Sequence, residues 1–496
     1  MNDSILSKLG LDKIEDLIKY EIDKSNYEII QNEFLEKHSL IPIFHNDLEV
    51  FLIGYNDMDL NIISDIELIT NLRPLFLKIP KELYETIKTQ EENNNKRDSI
   101  FLELLNYDEN DLDNTENLKV IVKYLNNLLE KAIKRCASDI HIDPFKSYIR
   151  VRLRVDGILN EIDRLDIGLL PIITVRIKIL GQMDISEKRL PQDGRISFEY
   201  ENREIDMRIA SIPTVNGEKI VIRILDNNNK VKSLKDLGLY GDNLEKVKNL
   251  IKEPHGLILF CGPTGAGKSS SIYTILKEMN SERSNIITVE DPVEYKIEGI
   301  NQIQTNSRIG LSFESALEHI LRCDPSIISI GELRSKETAQ TAIRASITGH
   351  LVLSTIHTNS AIAGIYRRLD MGIENYMISN GIIGIISQRL VRKLCPKCKV
   401  MSKIPKYYNG EKLFSYSAVG CKECSDGYKG RIGIFEVLVF SQKIKEAVNS
   451  NLSSDEIEAI AKCSGMNFIN NEGLKLVREG ITTIEELNSI LTKEEI

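Results

Sequence analysis

"GLILFCGPTGAGKSSSIYTILKEM", residues 256–279, decides the fold. Gly256 to Cys261 is a short apolar run of strand length. Gly262-Pro263-Thr264-Gly265-Ala266-Gly267-Lys268-Ser269 fits G-x-x-x-x-G-K-[ST] in full, and a helical pattern follows from Ser270. Strand, glycine loop and helix in that order are the setting a P-loop requires. The glycines let successive N–H groups turn toward a phosphate, and the helix N-terminus adds potential favourable to an anion. Lys268 is expected to neutralise β- and γ-phosphate charge, and Ser269 to ligate Mg²⁺ beside ATP. The fold class that follows is α/β. We expect a multidomain P-loop (RecA-like) ATPase domain, with a smaller α+β domain before it and an N-terminal α/β adaptor domain.

The chain has 496 residues, 42% hydrophobic and 28% charged, and carries a net charge of −9. That length suits two to four domains. The acidic balance argues against a protein whose main work is gripping nucleic acid. No stretch reaches the apolar length of a membrane span, and the N-terminus, read as an acidic amphipathic helix, lacks a signal core. A cytoplasmic location is expected, with any membrane role exerted through partners. In that reducing setting the eight cysteines should not form disulfides.

Composition divides the chain. Residues 1–87 read as an N-terminal docking domain, and the Asn/Asp/Glu-rich stretch 88–117 as a flexible linker. Residues 118–228 form the α+β middle domain. There Leu118, Ile121, Leu125, Leu128, Leu129 and Ala132 share a helical face. "IRVRLRVDGIL" then alternates: Ile149, Val151, Leu153 and Val155 face one way and Arg150, Arg152 and Arg154 the other, before an Asp156-Gly157 turn. The arginine face is either solvated or a subunit interface. A second linker, 229–236, precedes the ATPase domain, 237–496. Its helical tail carries two capping-box signatures, Ser453 to Glu456 and "TTIEE" from Thr482.

Cys395-Pro-Lys-Cys398 and Cys421-Lys-Glu-Cys424 have the spacing of a four-cysteine Zn²⁺ site within an insertion, 395–424. Four thiolates make a closed tetrahedral site without catalytic function. The lobe should staple a loop after "SQRLVRKL" (387–394), read as a helix. It is a lobe that hydrolysis itself does not require but that a membrane platform protein could contact. Cys136, Cys261, Cys323 and Cys463 lie outside such spacing and are expected to be buried thiols.

"TVEDPVEY" (288–295), "LRCDPSIISIGELRSKETA" (321–339) and "TGHLVLSTIHTNSA" (348–361) follow the P-loop. "ASDIHIDP", "LPQDGRI" and "MRIASIPTVNGEKIVIRIL" precede it. Together, from about 118 to 490, these motifs resemble the secretion-ATPase superfamily, and above all the type IV pilus assembly and type II secretion motors. The resemblance implies ATP hydrolysis by a homo-hexamer acting through an inner-membrane platform protein and a cytoplasmic adaptor, with pilin or pseudopilin moved indirectly. It makes Gly331-Glu332 the normal end of the second strand. Glu332 and Glu294 are both placed near the γ-phosphate, and which is the base stays open. Arg195, Arg208 and Arg223 are implied to reach nucleotide across a domain or subunit boundary. His350 could sense the γ-phosphate or simply pack; because the whole box matches, sensing is favoured, and His350 and His357 are both counted among the catalytic residues the resemblance implies. One departure is Ser335, where the family pattern has an acid.

The N-terminal domain and the four cysteines are features that the resemblance gives to assembly and export motors and not to retraction motors. Residues 34–87 weakly resemble the back half of the builders' N-terminal domain, without the Arg-Leu-Gly repeats of dinucleotide-binding forms. Two other readings remain. One is a zinc-ribbon DNA-handling ATPase, disfavoured by the acidic charge. The other is a nucleotide-binding scaffold with little turnover.

Overall fold

The structure is a computed structural model that describes residues 14, 17, 29–30, 32–46, 48–88, 115–225, 233–370, 372–402, 406–408, 411–413 and 415–491. Nearly all of the expected N-terminal acidic helix, most of the first linker (89–114), the last residues of the middle domain (226–228) and residues 229–232 of the second linker lie outside them. The chain divides into two compact units, 1–127 and 128–496.

In the first unit, β1 (Leu40–His45) and β2 (Glu49–Gly54) form an antiparallel hairpin, and β3 (Arg73–Lys78) pairs parallel to β2. The helix Leu60–Thr70 makes the crossover, with Asp59 as N-cap and Asn71 in the left-handed region as C-cap. Val50 and Leu52 join one apolar cluster, Phe51 and Ile53 another, so both faces of this small sheet are buried.

The second unit carries two large sheets. β4 (Ala137–Pro144), β5 (Tyr148–Val155), β6 (Ile158–Asp166), β7 (Gln192–Tyr200), β8 (Arg203–Thr214) and β9 (Gly217–Leu225) form an antiparallel sheet in the order β6-β5-β4-β9-β8-β7. Period-2 burial is clean in β5: Ile149, Val151 and Leu153 are fully buried. Its arginines are half-buried rather than solvated. Arg152 bonds Asp143 at 2.7 Å, Arg154 lies 3.6 Å from Asp139, and Arg150 stacks over Phe145.

The other sheet comprises β10 (Gly256–Cys261), β11 (Ile286–Glu290), β12 (Asn301–Gln304), β13 (Ile327–Ile330), β14 (Leu351–Ile356) and β15 (Ile382–Leu394). The small lobe strands follow: β16 (Val400–Met401), β17 (Lys406–Tyr408), β18 (Glu411–Leu413) and β19 (Tyr416–Ser417). Then β20 (Tyr428–Val439) returns to the sheet's edge. The order is β12-β11-β13-β14-β10-β15-β20, parallel except for β20. Leu257 and Leu259 pack into one core cluster, Ile258 and Phe260 into another. Burial on both faces explains why these strands read as continuous apolar runs. In such a sheet ligands bind beyond the carboxyl ends of the strands.

The "SQRLVRKL" reading needs correction, because residues 387–394 are the second half of β15 and not a helix. Its charges at helical spacing have interior partners instead of solvent. Arg389 Nη2 donates to Asn359 O at 2.6 Å, and Arg392 makes two bonds to Glu486 Oε2 at 2.9 and 2.6 Å. The same contact alters the tail. Ser453 and Glu456 form a full capping box, but at Thr483 only half of one forms, because Glu486 is drawn to Arg392. Among the described residues no helix is long and apolar enough to cross a membrane.

Candidate nucleotide site and four-cysteine centre

The carboxyl end of β10 turns abruptly into the helix Lys268–Met279. Gly262 and Gly267 have φ of 147° and 88°. A Cβ on Gly262 would stand 2.5 Å from the main-chain oxygen of Gln388, so only glycine fits there. The helix begins without a side-chain cap, which leaves its first-turn N–H groups unclaimed by any side chain and directed at the loop. Lys268 lies within the loop, its Nζ 2.6 Å from Gly262 O and 3.1 Å from Pro263 O. Burial lowers its pKa; Cys261 and Glu332 oppose that shift and Arg389 adds to it. Thr264, Gly265, Ser269 and Ser270 are exposed at the mouth, while Ala266 is buried beneath it. An uncapped helix start, strained glycines and one buried cation suit a polyphosphate. Lys268 and the loop would hold ATP, and the open Ser269 hydroxyl would reach its Mg²⁺.

Glu332 stands at the carboxyl end of β13, two strands away. Its carboxylate pairs with Arg334 and lies 3.6 Å from His357 Nε2. Gly331 is held in register by its own N–H to Val289 O and by Thr355 Oγ1 to its carbonyl. Glu294 follows β11 on the same end of the sheet. Its N–H donates to Tyr273 Oη at 3.1 Å, and Tyr273 in turn donates to Glu290. Glu290 is buried and also accepts from Thr288 Oγ1 and Gln302 Nε2.

His350 has a different place from the one its motif suggested. It precedes β14, beside the start of β10, and its Nδ1 faces Ala345 O at 3.0 Å. At about 3.3 Å per residue, a six-residue strand puts it roughly 17 Å from the phosphate end. Within one chain its ring packs against the helix end at Ala345. His357, at the far end of the same strand, is the histidine beside Glu332.

The three arginines of the middle domain form a file. Arg195 is directly opposite Arg208, and Arg208 opposite Arg223, across β7, β8 and β9. Like charges so placed are unfavourable. Asp139 on β4 stands at the end of the file and accepts from Arg223 at 3.2 Å. Arg208 Nη2 donates to Val293 O at 2.7 Å, on the loop that carries Glu294.

Ser335 is the N-cap of the helix Lys336–Ile347, accepting from Thr338 N at 3.2 Å. An aspartate caps equally well. Ser335→Asp is therefore expected to leave the melting temperature nearly unchanged and ATP turnover within about twofold of the starting protein. A larger change in turnover would mean that an acid here reaches the nucleotide.

Tyr273, Gln302, Gln388 and Arg389 were not singled out from the sequence. Gln388 accepts from Ser271 at 2.7 Å and lies under Gly267, while Arg389 lies under Gly262. Polar residues inside the apolar run of β15 were the available signal.

Cys395, Cys398, Cys421 and Cys424 bring their sulfurs within 4.8 Å of one another. The shorter separations are 3.8, 3.7 and 3.6 Å. Zn–S bonds of about 2.3 Å in a tetrahedron require S···S of about 3.8 Å, so the donor set fits Zn²⁺ and no disulfide. Gly420 and Gly427, at φ 99° and 83°, form the turns around the second pair. Of the other cysteines only Cys261 is buried, its thiol pushed up to about 12 by burial; Cys136, Cys323 and Cys463 are exposed, contrary to expectation.

The family model described as Type II/IV secretion system protein matches residues 114–489. The type II secretion system ATPase E of Vibrio cholerae is 43% identical over 392 residues, covering 77% of this chain and 78% of its own. The type II secretion system protein E of Xanthomonas campestris is 39% identical over 472 residues, covering 92% and 83%. Among solved structures, the pilus retraction motor PilT with bound ADP is 26% identical with a TM-score of 0.50, covering 75% of this chain and 98% of that one. The Legionella pneumophila ATPase DotB, 19% identical at a TM-score of 0.56 and covering 74% and 95%, shares the fold. A P-loop and a Gly-Glu strand end at the carboxyl end of a RecA-like sheet, within a match of this extent, place the chain in the type II/IV secretion ATPase family as an ATP hydrolase.

Proposed function

We propose that the chain is a hexameric motor that hydrolyses ATP to drive assembly of a pilus, or of the related secretion pseudopilus, through an inner-membrane platform protein. Lys268 and the loop 262–270 bind ATP, Ser269 ligates Mg²⁺, and Glu332 polarises the attacking water while Glu294 and His357 complete the site. Arg195, Arg208 and Arg223 stabilise charge developing on the transferred phosphoryl group. The observation that carries this reading is the arginine file: three guanidiniums in line with one carboxylate, fastened by Arg208 to the Glu294 loop, form an arrangement that a nearby polyphosphate would relieve. The N-terminal unit, residues 1–87 as read from the sequence, docks the adaptor. The four cysteines, with Zn²⁺ bound, support an assembly or export motor over a retraction motor. The names of the relatives weigh toward the secretion pseudopilus.

Arg208→Ala and Arg223→Ala are expected to lower turnover about a hundredfold, with nucleotide affinity of the isolated subunit nearly unchanged. Light scattering with a non-hydrolysable ATP analogue should give six subunits. Equal loss of binding in the monomer would make the arginines structural. Stimulation of turnover by DNA, and not by platform protein, would favour the DNA-handling reading.

A further inference from the structure

The turn between β5 and β6 reaches another part of the molecule. Asp156 and Gly157 have φ of 49° and 92°, which a tight hairpin turn requires and which aspartate, asparagine and glycine tolerate. Among these three, the carboxylate of Asp156 has a specific partner. Its Oδ2 accepts from the main-chain N–H of Gly430 at 2.8 Å, and its Oδ1 lies 3.9 Å from Arg431 Nε. Asn160, just beyond the turn, lies 3.5 Å from Ser425 Oγ.

Gly430 and Arg431 lie at the start of β20, and Ser425 on the short segment between the second cysteine pair and that strand. Ser425 directly follows Cys424, and Ser425 and Tyr428 exchange main-chain bonds of 3.0 and 2.8 Å. Cys395 N–H donates to Gly427 O at 2.8 Å, which ties the first cysteine pair to the same segment. The hairpin thus docks where β20 emerges from the four-cysteine cluster, on residues held both by pairing with β15 and by the turn that the cluster closes. The six-stranded sheet has a second fastening, the Arg208–Val293 bond on β8. β5 and β8 are three strand spacings apart, about 14 Å. One attachment leaves a sheet free to pivot, whereas two at that separation fix its angle. The arginine file lies on strands β7 to β9, so its position follows from that angle.

We propose that Asp156 is a positioning residue for ATP hydrolysis, latching the β5–β6 hairpin to the Gly430 N–H at the edge of the four-cysteine lobe and so setting the arginine file against the nucleotide loop. The inference rests on the arginine role proposed above. It gives the structural Zn²⁺ an influence on rate without a part in the chemistry: the metal orders the lobe, the lobe holds the hairpin, and the hairpin holds the sheet.

Two substitutions in the full-length, zinc-loaded protein separate latch from turn. Asp156→Gly keeps the positive-φ turn and removes the acceptor. Asp156→Asn keeps both the turn and an acceptor oxygen. Asp156→Gly should lower kcat about tenfold with KM for ATP within about twofold, as expected for a lost charge-assisted bond that only orients. Asp156→Asn should stay within about twofold of the unaltered protein, and all three should hold about one zinc per chain. Hydrogen exchange at amides 154–160 should quicken in Asp156→Gly, and at the same amides in unaltered protein stripped of metal. Full turnover in Asp156→Gly, an equal fall in both variants, a fall through KM, or unchanged exchange at the hairpin would each overturn the latch. An Arg208→Ala protein with normal turnover would overturn the arginine reading itself, whereas an impaired Arg208→Ala beside a fully active Asp156→Gly would remove only the latch.

Discussion

Glu332→Gln is expected to bind ATP with nearly unchanged affinity and to lose at least about a hundredfold in turnover. Glutamine has the size of glutamate and can still accept a bond from Arg334, so the strand end should keep its shape. It loses the negative charge proposed to polarise water, the same charge that raises the pKa of Lys268. Lys268→Ala is expected to fail earlier, at binding, because the loop then lacks its buried cation. The competing base is Glu294, whose main chain is held by Tyr273. Phosphate release and binding of a fluorescent ATP analogue, measured for Glu332→Gln and Glu294→Gln side by side, decide between them. Hydrolysis at the normal rate by Glu332→Gln, with loss in Glu294→Gln, would transfer the role of base to Glu294.

The parts of the site that sequence could reveal are those whose chemistry is local. A P-loop is eight consecutive residues, and each cysteine pair closes within one turn, so spacing alone carries the geometry. The alternation in β5 and the Asp156-Gly157 turn were readable for the same reason. The file of arginines was not. Arg195, Arg208 and Arg223 are separated by 13 and 15 positions in the sequence, and only the register of β7, β8 and β9 aligns them. Period-2 patterning says which face a residue takes but not which residue it meets across the ladder.

The histidines show the same limit. "TGHLVLSTIHTN" holds both in one motif, yet a strand lies between them, and a strand carries its two ends to opposite sides of a sheet. His357 therefore meets Glu332 while His350 meets a helix end. In β15, long-range partners overrode local pattern. Arg389 and Arg392 look like the solvent face of a helix until Asn359 and Glu486 are brought to them. Tyr273 escaped notice because a tyrosine on an apolar helix face reads as core. Its hydroxyl becomes informative only when Glu290 and the Glu294 N–H converge on it from another strand.

The largest structural effect should come from the four cysteines. Cys395→Ser combined with Cys421→Ser removes one sulfur from each pair, and two remaining thiolates do not make a closed Zn²⁺ site. Structural zinc sites of this kind contribute on the order of 10 kcal/mol to folding of the segment they close. Among the described residues of the lobe, Val400, Met401 and Val419 are largely exposed, and Cys395, Leu413 and Ser415 are buried. Metal content measured on purified protein should therefore fall from about one zinc per chain to none, and hydrogen exchange should become fast across 395–430. The nucleotide loop should survive. Gly262 and Gly267 rest on Gln388 and Leu390, which β15 holds between β10 and β20 before the first cysteine is reached. ATP binding is thus expected to persist while turnover drops to the level of Asp156→Gly, because both changes release the same hairpin. Full zinc occupancy in the double variant would refute the site. Loss of ATP binding together with zinc would mean that the lobe supports the P-loop directly, through β15, and not through the hairpin.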